Sequence, residues 1–281
     1  MKALWLENIN ESLVKDFYET QTEEEQNAGF EGVLSFGTAG IRSTFGLGPA
    51  RLNAFTVRKV ALGLAQYLNH NVDDASVVIH FDTRFLSKAF SQEMASVLAN
   101  NGITAIISDN YKSTPELSFA VRHLQVNAGI MITASHNPKN YNGIKVYGPD
   151  GGQLLTEPSL ELSRYIDTVE DPLNIQTDDL ETLQERGLIL PFKEETTKAY
   201  KDAVKELVGS FETSQTKTVL TSLHGTSLPL LSDVLEDLSY RNYVVEEAQS
   251  KPNGDFPTVN IANPEAEDTF DLGKQLAEQE Q

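Results

Sequence analysis

The spacing of apolar residues changes character several times along the chain, and each change predicts an element. Over residues 10–26 apolar and acidic positions interleave at helical spacing, which predicts a surface helix capped by Asn10. Residues 33–36 form a strand-like run, and a glycine-rich stretch, FGTAGIRSTFGLGPARLN, then breaks the pattern. Beyond it Val57, Val60, Ala61, Leu64 and Leu68 fall on one face of a helix predicted over residues 56–68. Residues 77–81 (VVIHF), 103–107 and 128–133 (AGIMIT) are apolar runs of strand length. Between them a helix is predicted over 87–101, with Phe90, Met94, Val97 and Leu98 as its buried stripe and Gly102 as its stop. A shorter helix is capped by Thr114, with Pro115 at its first position.

Residues 144–147 and 153–155 flank the turn-rich GPDGG and predict a hairpin. Thr156 opens a helix that fades near Asp171, and residues 171–191 carry no strong pattern. The alternation then resumes: a helix over 194–207, a strand over 218–223, a helix over 228–238 and a strand over 243–245. A final helix is expected, capped by Asn263 with Pro264 at its first position and running to Gln281. Short apolar strands alternating with amphipathic helices place the chain in the α/β class. The reading is a mixed-sheet α/β domain over residues 1–190, followed by a second domain of the same type over 191–281. The second domain reads as truncated, because its last helix hands on to no strand.

Composition narrows the function classes. With 281 residues, 40% hydrophobic and 22% charged, the chain can bury a sizeable core. Its formal net charge of −19 argues against general affinity for nucleic acid or anionic membranes, both being polyanions. The absence of cysteine removes disulfides and thiolate metal sites and fits a reducing, cytoplasmic setting. The opening MKALWLENINESLVKDFYE resembles neither a secretory signal nor a membrane span.

Candidate chemistry concentrates in ITASHNPKNYNGIKVY, at the end of the AGIMIT strand, where open α/β sheets commonly place ligand-binding loops. The loop offers a hydroxyl (Ser135), an imidazole (His136), an amide (Asn137), a stiffening Pro138 and, after a turn expected at Asn142–Gly143, the cation Lys145. A serine needs a base or an activated partner to react, and no glycine-flanked esterase serine is present. Glycines 37, 40, 46 and 48 form no Walker loop, since no Gly-Lys-Ser/Thr opens a helix; they let the backbone turn tightly. Asp82-Thr83-Arg84 closes another strand, with Arg84 either contacting an anion or holding a loop through an ion pair.

TASHNPKNYNGIKVY resembles the phosphoserine loop of the α-D-phosphohexomutase family. FGTAGIR resembles that family's N-terminal arginine loop, GPARLN its companion, and Asp82-Thr83-Arg84 its Asp-x-Arg segment. LHGTS (residues 223–227) and DFPTV (residues 255–259) resemble second-domain segments of the branch containing phosphoglucomutase and phosphopentomutase. The resemblance spans essentially the whole chain; Ile144 and Ser43 depart from the branch's usual residues without touching the chemistry.

The resemblance implies an intramolecular phosphotransferase. Ser135 is the phosphoryl carrier, giving a phosphate oxygen to Mg²⁺. Lys145 serves proton transfer, His136 joins the catalytic set, and Arg42, Asn137 and Arg84 bind phosphate or substrate. A sugar monophosphate is the partner and a sugar bisphosphate the activator. A phosphoserine carries roughly −1.5 to −2 charges, so cations beside it are a physical requirement. The family's aspartate-rich Mg²⁺ loop finds no match before Gln281, so the remaining ligands are expected beyond that residue and this chain alone is expected not to turn over. Phosphoglucomutase ranks first among the implied activities, ahead of phosphopentomutase and phosphomannomutase. A non-catalytic sugar-phosphate-binding module, or an α/β domain whose polar loops merely satisfy turns, remain alternative readings.

Overall fold

A computed structural model describes residues 1–38, 40–208 and 216–280. In chain order its helices and strands are α1 (Lys2–Glu7), α2 (Lys15–Thr20), α3 (Glu23–Ala28), β1 (Ile41–Thr44), α4 (Ala54–Asn71), β2 (Ser76–Phe81), α5 (Ser87–Asn100), β3 (Thr104–Ile107), α6 (Thr114–Leu124), β4 (Ala128–Ile132), β5 (Tyr141–Tyr147), α7 (Thr156–Asp167), α8 (Leu180–Glu185), β6 (Ile189–Pro191), α9 (Glu194–Val208), β7 (Thr218–Leu220), α10 (Ser227–Asp237), β8 (Tyr243–Val245) and α11 (Asp271–Gln279). Six strands form one mixed sheet in the order β1-β5-β4-β2-β3-β6. The segment β4-β2-β3-β6 is parallel, whereas β5 runs antiparallel to β4 and to β1. A second, parallel sheet pairs β7 with β8.

Strand β2 shows why the first sheet has two covered faces. Val77, Ile79 and Phe81 point into a core shared with Val60, Leu64, Phe90 and Met94 of α4 and α5. Val78, one residue out of phase, packs instead with Leu117, Val121 and Met131 on the α6 side. The period-two alternation is thus apolar on both faces, as a central parallel strand requires. His80 shares the second face: it is fully buried, its ring lies edge-on to Phe192 at 4.7 Å, and neither ring nitrogen has a hydrogen-bond partner.

Several expectations are corrected. The surface helix predicted over residues 10–26 is broken into α2 and α3, because Thr22 starts a new helix with a capping box to Glu25. Residues 33–36 join no sheet; Phe36 is buried there, and the first strand, β1, lies within the glycine-rich stretch. Ser113, not Thr114, caps α6, since its hydroxyl accepts from the Glu116 amide and completes a capping box. Asn142 and Gly143 lie inside β5 rather than in a turn, paired with Ser43 and Arg42. Asn263 caps only a turn, accepting from the Glu265 amide, and the helix beyond it begins at Asp271. The end expected at Gln281 lies outside the described residues, as does Ala39 of FGTAGIR. Among the described residues no helix is long and apolar enough to cross a membrane.

Candidate active site

The serine loop begins where β4 ends. Thr133, the first residue past the strand, accepts the Ser135 amide hydrogen at 2.9 Å and also hydrogen-bonds the Asp82 side chain. This bond turns the chain so sharply that Ser135 takes a left-handed backbone, with φ of 55°. For a non-glycine residue that conformation costs about 1–3 kcal/mol and persists only when surrounding bonds determine it. The turn leaves the serine side chain exposed, with Oγ 3.3 Å from Nδ1 of the exposed His136.

Arg84 supplies the surrounding bonds. Its guanidinium is buried, and Nη2 donates to the Ser135 and Asn137 carbonyls at 2.7 and 2.6 Å. Nη1 donates to the carbonyls of Pro138 and Tyr141 at 3.0 and 3.1 Å. All four Nη hydrogens are therefore used by the loop, and Nε faces Asp82 Oδ2 at 3.6 Å. These contacts show the loop-holding reading of Arg84, while its Nε–H is left without a hydrogen-bond partner. Burial pushes the Asp82 carboxyl above its ordinary range and the Arg84 guanidinium below its own, outweighing their attraction. Asp82 is held by hydrogen bonds from Ser87 and the Arg84 amide, and Arg84 by its bonds to the four carbonyls.

Two cations stand beside the loop. Arg42 of β1 lies opposite Gly143 of β5 and donates from Nη1 to Asn137 Oδ1 at 3.1 Å. Lys145, two residues along β5, is half-buried, and its ammonium makes no hydrogen bond or ion pair among the described residues. Burial first, and the neighbouring Arg42 second, hold its ammonium below the usual lysine range, while Asp82 pulls the other way. Gly40 makes the approach of these strands feasible: its φ is 96°, and a Cβ there would lie 2.1 Å from the Ile144 carbonyl oxygen. Ser135 thus meets His136, Arg42 reaches Asn137 of the same loop, and Lys145 neighbours Arg42.

A cleft of about 360 Å³ opens in front of Ser135 and His136. Thr83, Arg84 and Thr133 form one wall, and Ser222, Leu223, Gly225, Thr226 and Phe256 of the second unit form the other. The two sequence segments LHGTS and DFPTV therefore meet the serine loop, although His224 does not face the cleft. It is buried, with Nδ1 2.9 Å from the Lys251 carbonyl and Nε2 2.9 Å from Thr258 Oγ1. A larger apolar hollow, lined by Trp5, Leu34, Val60 and Ile166, lies away from these groups.

Sequence reasoning missed Thr133, Ser87 and Phe256. Ser87 donates to Asp82 Oδ1 at 2.8 Å and accepts from the Asn142 side chain at 2.8 Å, so it ties α5 to β5 beneath the loop. Thr133 was legible as a threonine two residues before a serine at a strand end, the signature of a side-chain turn. Ser87 and Phe256 were not picked out as site residues, because the contacts of Ser87 with Asn142 and of Phe256 with Arg84 join residues distant in sequence. For Mg²⁺ the fit is negative: no group of three or more His, Cys, Asp or Glu side chains among the described residues is placed to hold an ion. The carboxylate beside the loop, Asp82, is already engaged by Arg84, Ser87 and Thr133.

Comparison with known proteins is consistent along the chain. The family model described as phosphoglucomutase/phosphomannomutase, alpha/beta/alpha domain I, matches residues 33–172, and that for domain II matches residues 198–281. A phosphoglucomutase of Staphylococcus saprophyticus is 78% identical over 278 residues, covering 99% of this chain and 50% of that protein. One from Staphylococcus aureus (strain USA300) is 52% identical over 276 residues, again 50% of its length. The chain thus spans about half the length of the curated relatives it matches. A phosphoglucomutase/phosphomannomutase family protein from Burkholderia thailandensis shares the fold, with a TM-score of 0.59 at 19% identity over 81% of this chain and 45% of that one. Matched in order by both domain models, this chain belongs to the phosphoglucomutase/phosphomannomutase family.

Proposed function

We propose that this chain is the phosphoryl-carrying part of an enzyme that interconverts glucose 1-phosphate and glucose 6-phosphate. Ser135 carries the phosphoryl group, and a glucose bisphosphate is the intermediate and activator. One observation carries the reading: the backbone on either side of Ser135 is tied down by Thr133 and Arg84, while its side chain stands exposed at the cleft. Two relatives named phosphoglucomutase favour glucose phosphates over pentose or mannose phosphates.

In the forward step the P–Oγ bond of phosphoserine 135 breaks as a sugar hydroxyl oxygen bonds to phosphorus. The hydroxyl proton passes to Lys145 in its neutral form, which burial and Arg42 make more accessible, and from there to the departing Oγ, which becomes the serine hydroxyl. The resulting bisphosphate turns over in the cleft, Oγ gives its proton back through Lys145 to the departing sugar oxygen, and the other phosphoryl group bonds to Oγ. Arg42 offsets phosphate charge, Asn137 holds Arg42 at the loop, and His136 hydrogen-bonds the unloaded hydroxyl. Mg²⁺ would serve as a counter-ion of the phosphoserine, with its carboxylate ligands supplied from outside residues 1–281. A cytoplasmic setting accords with the cysteine-free sequence.

The test uses the whole protein that carries these residues. Glucose phosphate interconversion should disappear in Ser135→Ala, and peptide mapping after incubation with glucose 1,6-bisphosphate should find one phosphoryl group on Ser135. Normal turnover by Ser135→Ala, or phosphate on another residue, refutes the reading. Residues 1–281 alone should give no turnover.

A further inference from the structure

Three consecutive residues of the second unit each touch the apparatus that holds the serine loop. Gly254 lies against the backbone of the Asp-x-Arg segment: a Cβ there would sit 2.8 Å from the Phe85 nitrogen, 3.1 Å from the Thr83 oxygen and 3.2 Å from the Arg84 carbonyl carbon. Asp255 accepts from Lys139 of the serine loop at 3.0 Å. Phe256 is buried, and the Arg84 guanidinium carbon lies 5.2 Å from its ring centroid. Phe256 also has a left-handed backbone, with φ of 48°, so strained non-glycine residues stand at both ends of the chain of contacts from Ser135 through Arg84 to Phe256.

From this geometry we propose that residues 254–256 are an interdomain latch and that Phe256 is a positioning residue for Ser135, acting through Arg84. Arg84 spends its Nη hydrogens on the Ser135, Asn137, Pro138 and Tyr141 carbonyls and turns Nε toward Asp82. Nε has no hydrogen-bond partner, and the guanidinium face lies under the Phe256 ring. An aromatic face favours a cation there and keeps out water, which would compete for the same carbonyls. The close approach at Gly254 leaves no room for a side chain, so the segment can seat against the first unit only with glycine at that position. Seating of the second unit and the shape of the serine loop are therefore one linked equilibrium, in which losing the first loosens the second.

Only the consequence for phosphoryl transfer rests on the function proposed above; the latch has its own readout. In the 281-residue chain, amide hydrogen exchange over residues 135–141 should quicken about fivefold in Phe256→Ala, equivalent to ~1 kcal/mol. Protection of β2 and α5 should be unchanged, and Phe256→Tyr should restore slow exchange. Gly254→Ala should quicken the same amides more strongly. Should these variants lose protection in β7 and α10, Phe256→Leu decides: faster loop exchange supports the latch, and unchanged exchange overturns it. Unchanged loop exchange in a folded Phe256→Ala also overturns it.

In the whole protein, Phe256→Ala should lower kcat about fivefold with little change in KM, and Phe256→Tyr should recover it. A raised KM at unchanged kcat would make Phe256 a substrate contact and overturn the positioning role. Absence of phosphate on Ser135 in the unaltered protein would sink the proposed function while leaving the exchange result to stand or fall on its own.

Discussion

Two loops leave their sheets by the same route and end in opposite states. After β4 the chain reads Thr133-Ala134-Ser135-His136; after β7 it reads Thr221-Ser222-Leu223-His224. In both, the threonine hydroxyl accepts the amide hydrogen two residues on, and that residue is left-handed. Beyond this shared turn they diverge. The second loop turns its polar groups inward: the His224 ring is held by Lys251 and Thr258, and Gln249, buried, ties Thr221 and Thr258 together. The Lys251 carbonyl can only accept, so Nδ1 donates to it, and Thr258, which accepts from Gln249, can donate to Nε2. The first loop is instead held from behind through its carbonyls, which frees Oγ of Ser135 and the ring of His136 to face solvent. Where a turn's restraints come from backbone groups its side chains are free for chemistry; where they come from side chains, the loop is a scaffold.

The sharpest way to break this contrast is to remove the restraint on the first loop. Arg84→Met should cost about 3–5 kcal/mol, because it strands a buried carboxyl and four carbonyls together, and urea denaturation of the 281-residue chain measures it. A loss below 1 kcal/mol would mean that the loop supports itself. Next, the two histidines should separate cleanly: His224→Ala should lose about 1–3 kcal/mol for its unsatisfied partners, whereas His136→Ala should move stability by less than about 0.5 kcal/mol. Equal losses would erase the distinction between scaffold and chemical loop.

A third histidine tests burial without partners. His80 has its pKa lowered to about 3 by burial, with Lys112 adding to the effect. Phe192 faces its ring, and Lys112 lies over the same Phe192 at 5.7 Å. Because the folded value lies below the unfolded one, stability from the neutral ring is intact above about pH 6.5. It is lost as pH falls toward 3, with roughly 2 kcal/mol gone by pH 5. His80→Leu should flatten that part of the pH–stability curve, and a slope identical to the parent's would show that carboxylates alone set it. The smallest effect belongs to the exposed Lys139–Asp255 pair, whose side chains are 60% and 54% accessible. Lys139→Ala should change stability by no more than ~0.5 kcal/mol, and a larger loss would assign more of the interdomain contact to this pair than to Phe256 and Gly254.

The regular part of the fold was legible because its signals are local. The stripe Val57, Val60, Leu64 and Leu68 and the VVIHF run each carry their period within a few residues, and α4 and β2 form where that period predicts. The serine loop was legible too, through its residue types and its place at a strand end. Strand β1 was hidden by the glycines around it, since its partner β5 lies about a hundred residues away and pairing, not propensity, makes it a strand. The short helices α2 and α3 read as one because interleaved apolar and acidic residues do not reveal where the backbone bends.

The sequence by itself determined the α/β class and the serine-bearing loop at the strand end, because hydrophobic period and residue chemistry are written position by position. Only the tertiary structure decided what Arg84 does. Its carbonyl partners lie more than fifty residues downstream, and the Phe256 ring that covers it comes from the second unit. It decided likewise that His224 is a brace held at both ring nitrogens, whereas the exposed His136 ring meets the neighbouring Ser135 hydroxyl, since a side chain's availability depends on which distant groups have already claimed its hydrogen bonds.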